Sequence, residues 1–212
     1  MTSMKKSFDS PAESQGVARH ETPGGRRILE AATACFARQG YDAASVRKIA
    51  ADANVDPALI NHAFGSKAGL WQACVDQVAE GVIPALRGAT AQACSSLAEA
   101  VDRLIEVVCA DPVIVHFILS EIARQDERFD YVHMRLVKPI HALMLESMGR
   151  GEAVSASAQE EVRLIAISGA IATTIVSRGF MIRGGLIPDD FPAFRRDLRS
   201  VLEPLLNVPK AD

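Results

Sequence analysis

The stretch that decides the fold is residues 26–67, RRILEAATACFARQGYDAASVRKIAADANVDPALINHAFGSK. Its first part carries apolar residues spaced to share one face of a helix with 3.6 residues per turn: Ile28, Leu29, Ala32, Cys35 and Phe36. Gly40 is expected to stop this helix, because glycine adopts a positive φ without steric cost. The sequence therefore predicts a first helix that ends near Gly40.

A second, shorter helix is predicted to begin after Ser45. Serine is a preferred N-cap residue, and its hydroxyl is expected to accept a hydrogen bond from a backbone N–H of the first turn. The inward face of this helix consists of small and branched apolar residues: Val46, Ile49, Ala50 and Ala53.

The turn to a third helix is predicted at Asn54, because asparagine follows glycine in its tolerance of the left-handed region. Asp56 and Pro57 then form an N-cap followed by a proline at the first helical position. The third helix runs on to Ala63, with Leu59 expected in the core. Two short helices joined by a tight turn are the geometry of a helix-turn-helix, whose second helix enters the major groove of DNA.

The residues of this stretch resemble a known family. R-x-I-L-x-A-A-x-x-x-F-x-x-x-G-Y spans residues 26–41, S-V-R-K-I-A spans 45–50, and V-D-P-A-L-I-N-H-x-F-G-S-K spans 55–67. This order and spacing resembles the N-terminal domain of the TetR/AcrR family of bacterial one-component transcriptional regulators. The resemblance implies a three-helix DNA-binding head and a helical body that dimerises and binds an effector.

Three residues depart from the usual pattern of that family. The family usually has glycine at the position of Asn54, often tyrosine at Asn61, and an aromatic residue or histidine at Ala63. Asn61 and Ala63 change the groups that face DNA, so the base preference of other members does not transfer. Asn61 suits a bidentate hydrogen bond to adenine, and it suits a phosphate contact equally well.

The predicted DNA contacts are of two kinds. Phosphate contacts are expected from residues on the second helix and at the start of the fourth: Ser45, Arg47, Lys48 and Lys67. Base or sugar-phosphate contacts are expected from the third helix and its start: Asp56, Pro57, Ala58, Asn61 and His62. Residues 1–67 carry nine Lys and Arg against seven Asp and Glu, whereas the remainder has a net charge of −5. Because this charge asymmetry is weak, useful affinity should require two copies on adjacent half-sites.

The whole chain is predicted to be all-α. Hydrophobic residues make up 49% and aromatic residues 5% of its 212 residues, a balance typical of helices packed on helices, and no alternating strands recur. Three segments are predicted: a disordered tail over residues 1–24, the DNA-binding head over 25–70, and an effector-binding and dimerisation body over 71–212. The tail lacks the apolar centre of a secretory signal.

Six helices are predicted after the DNA-reading unit: one over residues 66–78 that links the head to the body, and others over 95–109, 112–126, 128–148, 159–181 and from near 189. Gly81 and Pro84 are expected to bend or interrupt the first of them. Pro139 is expected to kink the fourth or to open one turn of its backbone hydrogen bonds.

The fifth of these helices is the most apolar. Its uncharged run, LIAISGAIATTIVS over residues 164–177, has 14 residues, fewer than the roughly 20 that span a bilayer. We therefore expect a soluble, cytoplasmic protein without a membrane partner. Small residues form a stripe that allows close approach of another helix: Ala166, Gly169, Ala170, Thr173 and Ser177. The family resemblance implies that the last two helices pair with those of a second copy, although a core within one chain is the alternative.

The sequence offers no pattern for catalysis, a metal or a cofactor. Its cysteines form no C-x-x-C pair: Cys35, Cys74, Cys94 and Cys109. We find no H-E-x-x-H, glycine-rich phosphate loop or G-x-S-x-G elbow. The sequence therefore favours a protein that is not an enzyme, has no cofactor, and keeps its thiols free.

Polar residues among the apolar ones of the body predict a small-molecule site. The effector candidates are His116, Phe117, Glu121, His133, Met134, Val137, His141 and Arg178. Ordinary helix packing is the alternative role for each. The resulting hypothesis is a ligand-responsive homodimeric regulator, a repressor by family resemblance, on a near-palindromic operator of double-stranded DNA. A dimeric small-molecule-binding protein with a drifted head, or an enzyme in a helical bundle, are the rival readings.

Overall fold

The computed structural model describes residues 22–88, 94, 96–122, 126–149 and 157–206, so the predicted tail lies almost wholly outside the described residues. Within these ranges the regular structure is helical throughout, as predicted, and contains no strand. The helices are α1 Pro23–Ala43, α2 Val46–Asp52, α3 Pro57–Phe64, α4 Lys67–Arg87, α5 Leu97–Ala110, α6 Pro112–Ile122, α7 Glu127–Val132, a π-helical turn His133–Val137, α8 Lys138–Ser147, α9 Ala158–Arg183 and α10 Phe191–Leu206.

The chain divides into two compact units, Met1–Cys74 and Val75–Asp212. In the N-terminal unit α1 packs on α2 and α2 packs on α3. Their shared core consists of side chains that are almost completely excluded from solvent: Ile28, Leu29, Phe36, Ile49, Ile60 and Trp71. The apolar periodicity of residues 26–67 therefore forms the core that it predicts.

Gly40 breaks the first helix as predicted, because its φ of +73° and ψ of 166° lie outside the helical region, and one further turn runs to Ala43. One local detail of this unit differs from the sequence prediction. Ser45 occupies the N-cap position of α2, yet its side chain makes no capping hydrogen bond. The prediction for its hydroxyl was wrong, because N-cap backbone geometry does not oblige the side chain to fold back. The side chains of Asp56 and Ser66 do cap their helices: Asp56 accepts a hydrogen bond from the N–H of Ala58, and Ser66 accepts one from the N–H of Gly69.

The C-terminal unit is built from the end of α4 and helices α5–α10. Here α9 packs on α6 and α10, and α5 packs on α8, α6 and α10. The sequence predicted a bend or an interruption at Gly81 and Pro84; α4 continues through both residues to Arg87, so the interruption was wrong. Pro84 lies in the last turn, where its carbonyl still accepts from the N–H of Gly88 at 3.1 Å. Burial of Val82 and Leu86 on either side offsets the missing donor.

The helix predicted over residues 128–148 is divided into α7, the π-helical turn and α8. The N–H of Lys138 donates to the carbonyl of His133, five residues back, and Pro139 follows within the first turn of α8. Because proline has no N–H, the bonding pattern opens just before it, as the sequence predicted.

Helix α9 has 26 residues and is longer than the uncharged run inside it. By length and composition alone, this helix is long and apolar enough to cross a membrane, whereas its uncharged run alone was too short. One such helix is weak evidence for a membrane span. Ser157 and Glu160 form a capping box at its start. Some of its apolar side chains are buried, such as Ile167 and Ile171, and others are exposed, such as Val162 and Phe180.

Candidate DNA-binding surface and effector cavity

Helix α3 presents one polar, accessible face. Its start is fixed by Asp56, whose Oδ1 accepts from the N–H of Ala58 at 2.7 Å. Ile60 and Phe64 point into the core of the unit, and the opposite face is exposed: Ala58, Leu59, Asn61 and His62. Leu59 is 46% exposed, so its predicted core position was wrong. A helix with one exposed polar face has the form needed to enter a major groove.

The turn that orients α3 has the geometry that the sequence predicts. Asn54 has φ +53° and is the one described residue other than glycine with a positive φ. Its N–H donates to the carbonyl of Ala51 at 3.1 Å, and the N–H of Val55 donates to that of Ala50 at 2.9 Å. This pair of bonds is a Schellman motif, which requires a left-handed residue after the helix. The turn therefore satisfies the last carbonyls of α2 and sets the course of the chain into α3.

Lys67, at the start of α4, is held by the loop after α1. Its Nζ donates to the carbonyl of Asp42 at 3.2 Å and lies 4.5 Å from the ring centre of Tyr41. The Tyr41 ring is itself packed edge-on against Trp71. The contacts of Tyr41 and Asp42 with Lys67 were not predictable from the sequence, because these residues lie too far from Lys67 along the chain to form a local pattern with it. These contacts position the ammonium group as a defined cation.

The basic residues of α2 are exposed, but one has an acidic neighbour. Lys48 Nζ lies 3.6 Å from Asp52, and Arg38 lies 3.9 Å from the same carboxylate. The spacing of Lys48 and Asp52, one helical turn apart, is the signal that sequence reasoning missed. Such exposed pairs are weak and exchange readily for phosphate. Arg47 and Ser45 are also exposed on this helix.

The C-terminal unit contains a cavity of about 200 Å³. It lies among α4, α5, α6, the π-helical turn, α8 and α9, and 17 residues line it. Fourteen of them have aliphatic side chains and none is Phe, Tyr or Trp, whereas the polar side chains are those of His141 and Ser168. A mostly apolar space with few polar groups is the usual form of a small-molecule site.

Two of the eight effector candidates from the sequence, Val137 and His141, line this cavity. Glu121 is buried and pairs with Arg128 at 3.2 Å. Arg178 pairs with Asp189 at 2.5 Å. These two charged residues are occupied by structural ion pairs and are not among the residues lining the cavity.

The remaining four candidates also lie outside the lining. His116 is exposed, with Nδ1 2.9 Å from the carbonyl of Pro112. Phe117 is buried in the core, and Met134 is 56% exposed. The ring of His133 stacks on Phe129. Sequence spacing placed these residues in the right helices but did not resolve which face of each helix meets the cavity.

His141 and Ser168 are the polar groups that the cavity offers. Nδ1 of His141 lies 3.5 Å from Oε2 of Glu161. Burial lowers the pKa of His141, and the nearby Glu161 carboxylate opposes part of that effect. The Oγ of Ser168 is shielded from solvent and has no hydrogen-bond partner among the described residues. The sequence analysis did not single out Ser168, because a serine in an apolar helix carries no distinguishing pattern.

A cluster around Asp76 ties α4 to the segment that borders the cavity. The Tyr131 hydroxyl donates to Asp76 at 2.9 Å, and Arg135 Nε donates to it at 2.6 Å. Burial and the Asp76 charge raise the pKa of Tyr131 to about 12. Arg135 belongs to the π-helical turn, whose next residues, Leu136 and Val137, line the cavity.

The described residues hold no group of three or more His, Cys, Asp or Glu side chains placed to bind a metal ion. The cysteines are free, and three of the four are buried. Burial raises the pKa of Cys74 to about 12, and its Sγ donates to the carbonyl of Leu29 at 3.9 Å. Such a thiol is protonated and unreactive at neutral pH.

Comparison with known proteins identifies the first domain. Residues 28–74 match the model for bacterial regulatory proteins of the tetR family. Over 56 residues the chain is 50% identical to the HTH-type transcriptional regulatory protein RaaS of Mycobacterium tuberculosis, and the match covers 26% of each protein. The chain thus matches about a quarter of the length of this curated relative.

Solved structures resemble nearly the whole chain. The transcriptional regulator FadR from Bacillus subtilis, in complex with stearoyl-CoA, is 18% identical with a TM-score of 0.62, over 86% of this chain and 97% of that one. A transcriptional regulator from Aquifex aeolicus VF5 is 18% identical with a TM-score of 0.60, over 86% of this chain and 99% of that one. At this identity the likeness shows the fold, an N-terminal helix-turn-helix followed by a helical domain.

Proposed function

We propose that this chain, a TetR-family protein by its N-terminal domain, is a cytoplasmic transcriptional regulator that binds an inverted-repeat operator as a homodimer. The observation that carries the proposal is the exposed face of α3, with Asn61 and His62 accessible and Ile60 and Phe64 anchored in the core. By family resemblance its effect is repression, and it acts by occupying DNA.

A second copy is the proposed partner of the apolar face on α9 and α10. Large hydrophobic side chains there are exposed in the single chain: Val162, Ile165, Phe180 and Val201. Exposed apolar side chains gathered along two long helices are typical of interaction surfaces. A dimer would bring two recognition helices to half-sites about 34–36 Å apart, or a multiple of that distance. Covering α9 in this way also accounts for its apolar composition without a membrane.

An effector in the cavity is proposed to regulate DNA binding through α4. Val82 of α4 lines the cavity, and Asp76, almost two turns earlier on the same helix, is held by Tyr131 and Arg135. A ligand that moves the π-helical turn would change these contacts. The ligand would therefore bind more tightly when α4 is in one position than in another. Such a difference in affinity is what a population shift requires.

Selection of bound duplexes from a random DNA pool, at about 150 mM salt so that nonspecific binding is weakened, tests the proposal. We expect enrichment of an inverted repeat by the full chain. The Asn61→Ala and His62→Ala variants should bind the selected duplex less tightly, by about 1–3 kcal/mol where the side chain reaches a base. Sequence-blind binding, or no binding, by the purified dimer would refute the assignment and favour a small-molecule-binding protein with a drifted head.

A further inference from the structure

We propose that the cavity takes a compact, uncharged aliphatic molecule with a single hydrogen-bonding head group, of which a medium-chain alcohol is the simplest representative. This inference rests on the proposed function, since the molecule would be the effector of the regulator. It concerns the chemical class of the ligand, which follows from the lining of the cavity.

The walls of the cavity are mainly aliphatic, with 14 aliphatic side chains among the 17 lining residues. Six of the lining side chains are isoleucines: Ile114, Ile118, Ile122, Ile140, Ile165 and Ile171. The described lining contains no Phe, Tyr or Trp, so the imidazole of His141 is the one ring that it offers to an aromatic ligand. Branched aliphatic walls favour a flexible saturated chain, which gains from burial of its methylene groups.

The volume of the cavity limits the size of the ligand. A closed apolar cavity of about 150 Å³ accepts benzene, which has six carbon atoms. At about 200 Å³ this cavity holds roughly eight non-hydrogen atoms by the same measure. A molecule such as 1-heptanol therefore fills this space, whereas a long acyl chain would extend beyond it, past the exposed wall residues Ile122 and Ile165.

The polar groups determine the charge of the ligand. Neither Lys nor Arg is among the described lining residues, so the phosphates of a coenzyme A ester would have no cation there. Glu161, 3.5 Å from His141, would repel a carboxylate placed at the imidazole. The Ser168 hydroxyl is shielded and unpartnered, and a hydroxyl of the ligand can both donate to it and accept from it. A neutral head group therefore matches the site best.

The test is titration of the full-length protein, labelled with ¹³C in its isoleucine methyl groups, with 1-heptanol. We expect saturable shifts of the six cavity isoleucines and unchanged signals from Ile28, Ile49 and Ile60, which lie in the core of the other unit. Octanoyl-coenzyme A and octanoate should bind at least tenfold more weakly than 1-heptanol. Equal or tighter binding of either charged compound would overturn the proposal.

Two variants locate the site. Ala172→Phe places a ring in the cavity, since Ala172 lines it, and should abolish the shifts. Ala142→Phe is the matched control, because Ala142 is exposed on α8 and is not a lining residue, and it should bind as the unchanged protein does. Binding that survives in Ala172→Phe would place the ligand elsewhere and refute the assignment.

Ser168→Ala tests the head group and does not depend on the fate of the larger substitution. Removing an unpartnered buried hydroxyl should raise the melting temperature of the free protein, because the cost of desolvation disappears. The same change should weaken 1-heptanol about three- to tenfold and leave n-heptane unaffected. Equal effects on both compounds would show that Ser168 does not bind the head group. If 1-heptanol fails to bind while DNA selection still enriches an inverted repeat, the proposed ligand class is wrong and the proposed function as a DNA-binding regulator is retained.

Discussion

Asn54 is the residue at which the DNA-binding unit is most sensitive to a small change of backbone chemistry. Its φ of +53° lies in the left-handed region, and the two hydrogen bonds of the Schellman motif depend on that conformation. We predict that Asn54→Ala destabilises the N-terminal unit, Asn54→Val destabilises it further, and Asn54→Gly leaves it close to the original stability.

The expected magnitudes follow from the backbone alone, since Asn54 is exposed and its side chain contributes little packing. A residue with a Cβ pays about 1–2 kcal/mol in the left-handed region, and asparagine offsets part of this by local hydrogen bonding. Alanine should therefore cost about 1 kcal/mol, and branched valine about 2 kcal/mol. Glycine removes the strain but loses about 0.5–1 kcal/mol in chain entropy, so its net effect is small.

The single tryptophan provides a selective assay. Trp71 is 2% exposed and belongs to the N-terminal unit, so its emission reports on that unit during urea unfolding. A change of 1 kcal/mol corresponds to about a fivefold change in the unfolding equilibrium. Operator affinity should fall in the same order of variants, because the turn sets the course of α3. If Asn54→Ala and Asn54→Val unfold at the same urea concentration as the original protein, the strain argument is refuted.

Three further predictions concern charge and burial. Lys67→Ala should weaken binding to all duplexes alike and reduce the slope of log affinity against log salt by about one; a loss confined to the operator, measured by fluorescence anisotropy, would contradict a phosphate contact. Because the folded-state pKa of His141 is lowered from 6.5, its contribution to stability should be full above that pH and be lost as the pH falls through the folded-state value. His141→Gln should flatten the difference between melting temperatures at pH 7.5 and 5.5, and an unchanged difference would count against it. Cys74, with its pKa raised to about 12, should resist iodoacetamide in the folded protein and react after unfolding, as peptide mass spectrometry would show; labelling of the folded chain would disprove its burial.

The DNA-binding unit was largely predictable because its determinants are local. Caps, turns and apolar spacing in residues 26–67 act over a few positions each, and together they predict three helices and the left-handed Asn54. The errors in this region are also local: Ser45 makes no capping bond, and Leu59 faces solvent. A period of 3.6 residues assigns a face to an eight-residue helix only coarsely, so a side chain at its border is easily misplaced.

The cavity of the C-terminal unit was predictable only to the level of helices. Seven of its lining residues come from α5 and α6, but which face of a helix meets a cavity depends on crossing angles that no local pattern encodes. Val137 and His141 were identified because polar residues stand among apolar ones in that part of the body. Ser168 was missed, since its significance lies in the absence of a partner, and only the packed structure reveals that. The pairing of Tyr41 with Lys67 was missed because the two residues lie far apart along the chain.

The effect of Pro139 on backbone hydrogen bonding was predictable from the sequence, but its effect on the packing around the cavity was not. Proline cannot donate a backbone hydrogen bond, so the chain opens into the π-helical turn immediately before it. The extra residue in that turn changes the direction of the side chains relative to a regular helix. Arg135 consequently reaches Asp76 on α4, while Leu136 and Val137 line the cavity. The π-helical turn before this missing N–H thus contacts both α4, through Arg135, and the cavity, through Leu136 and Val137.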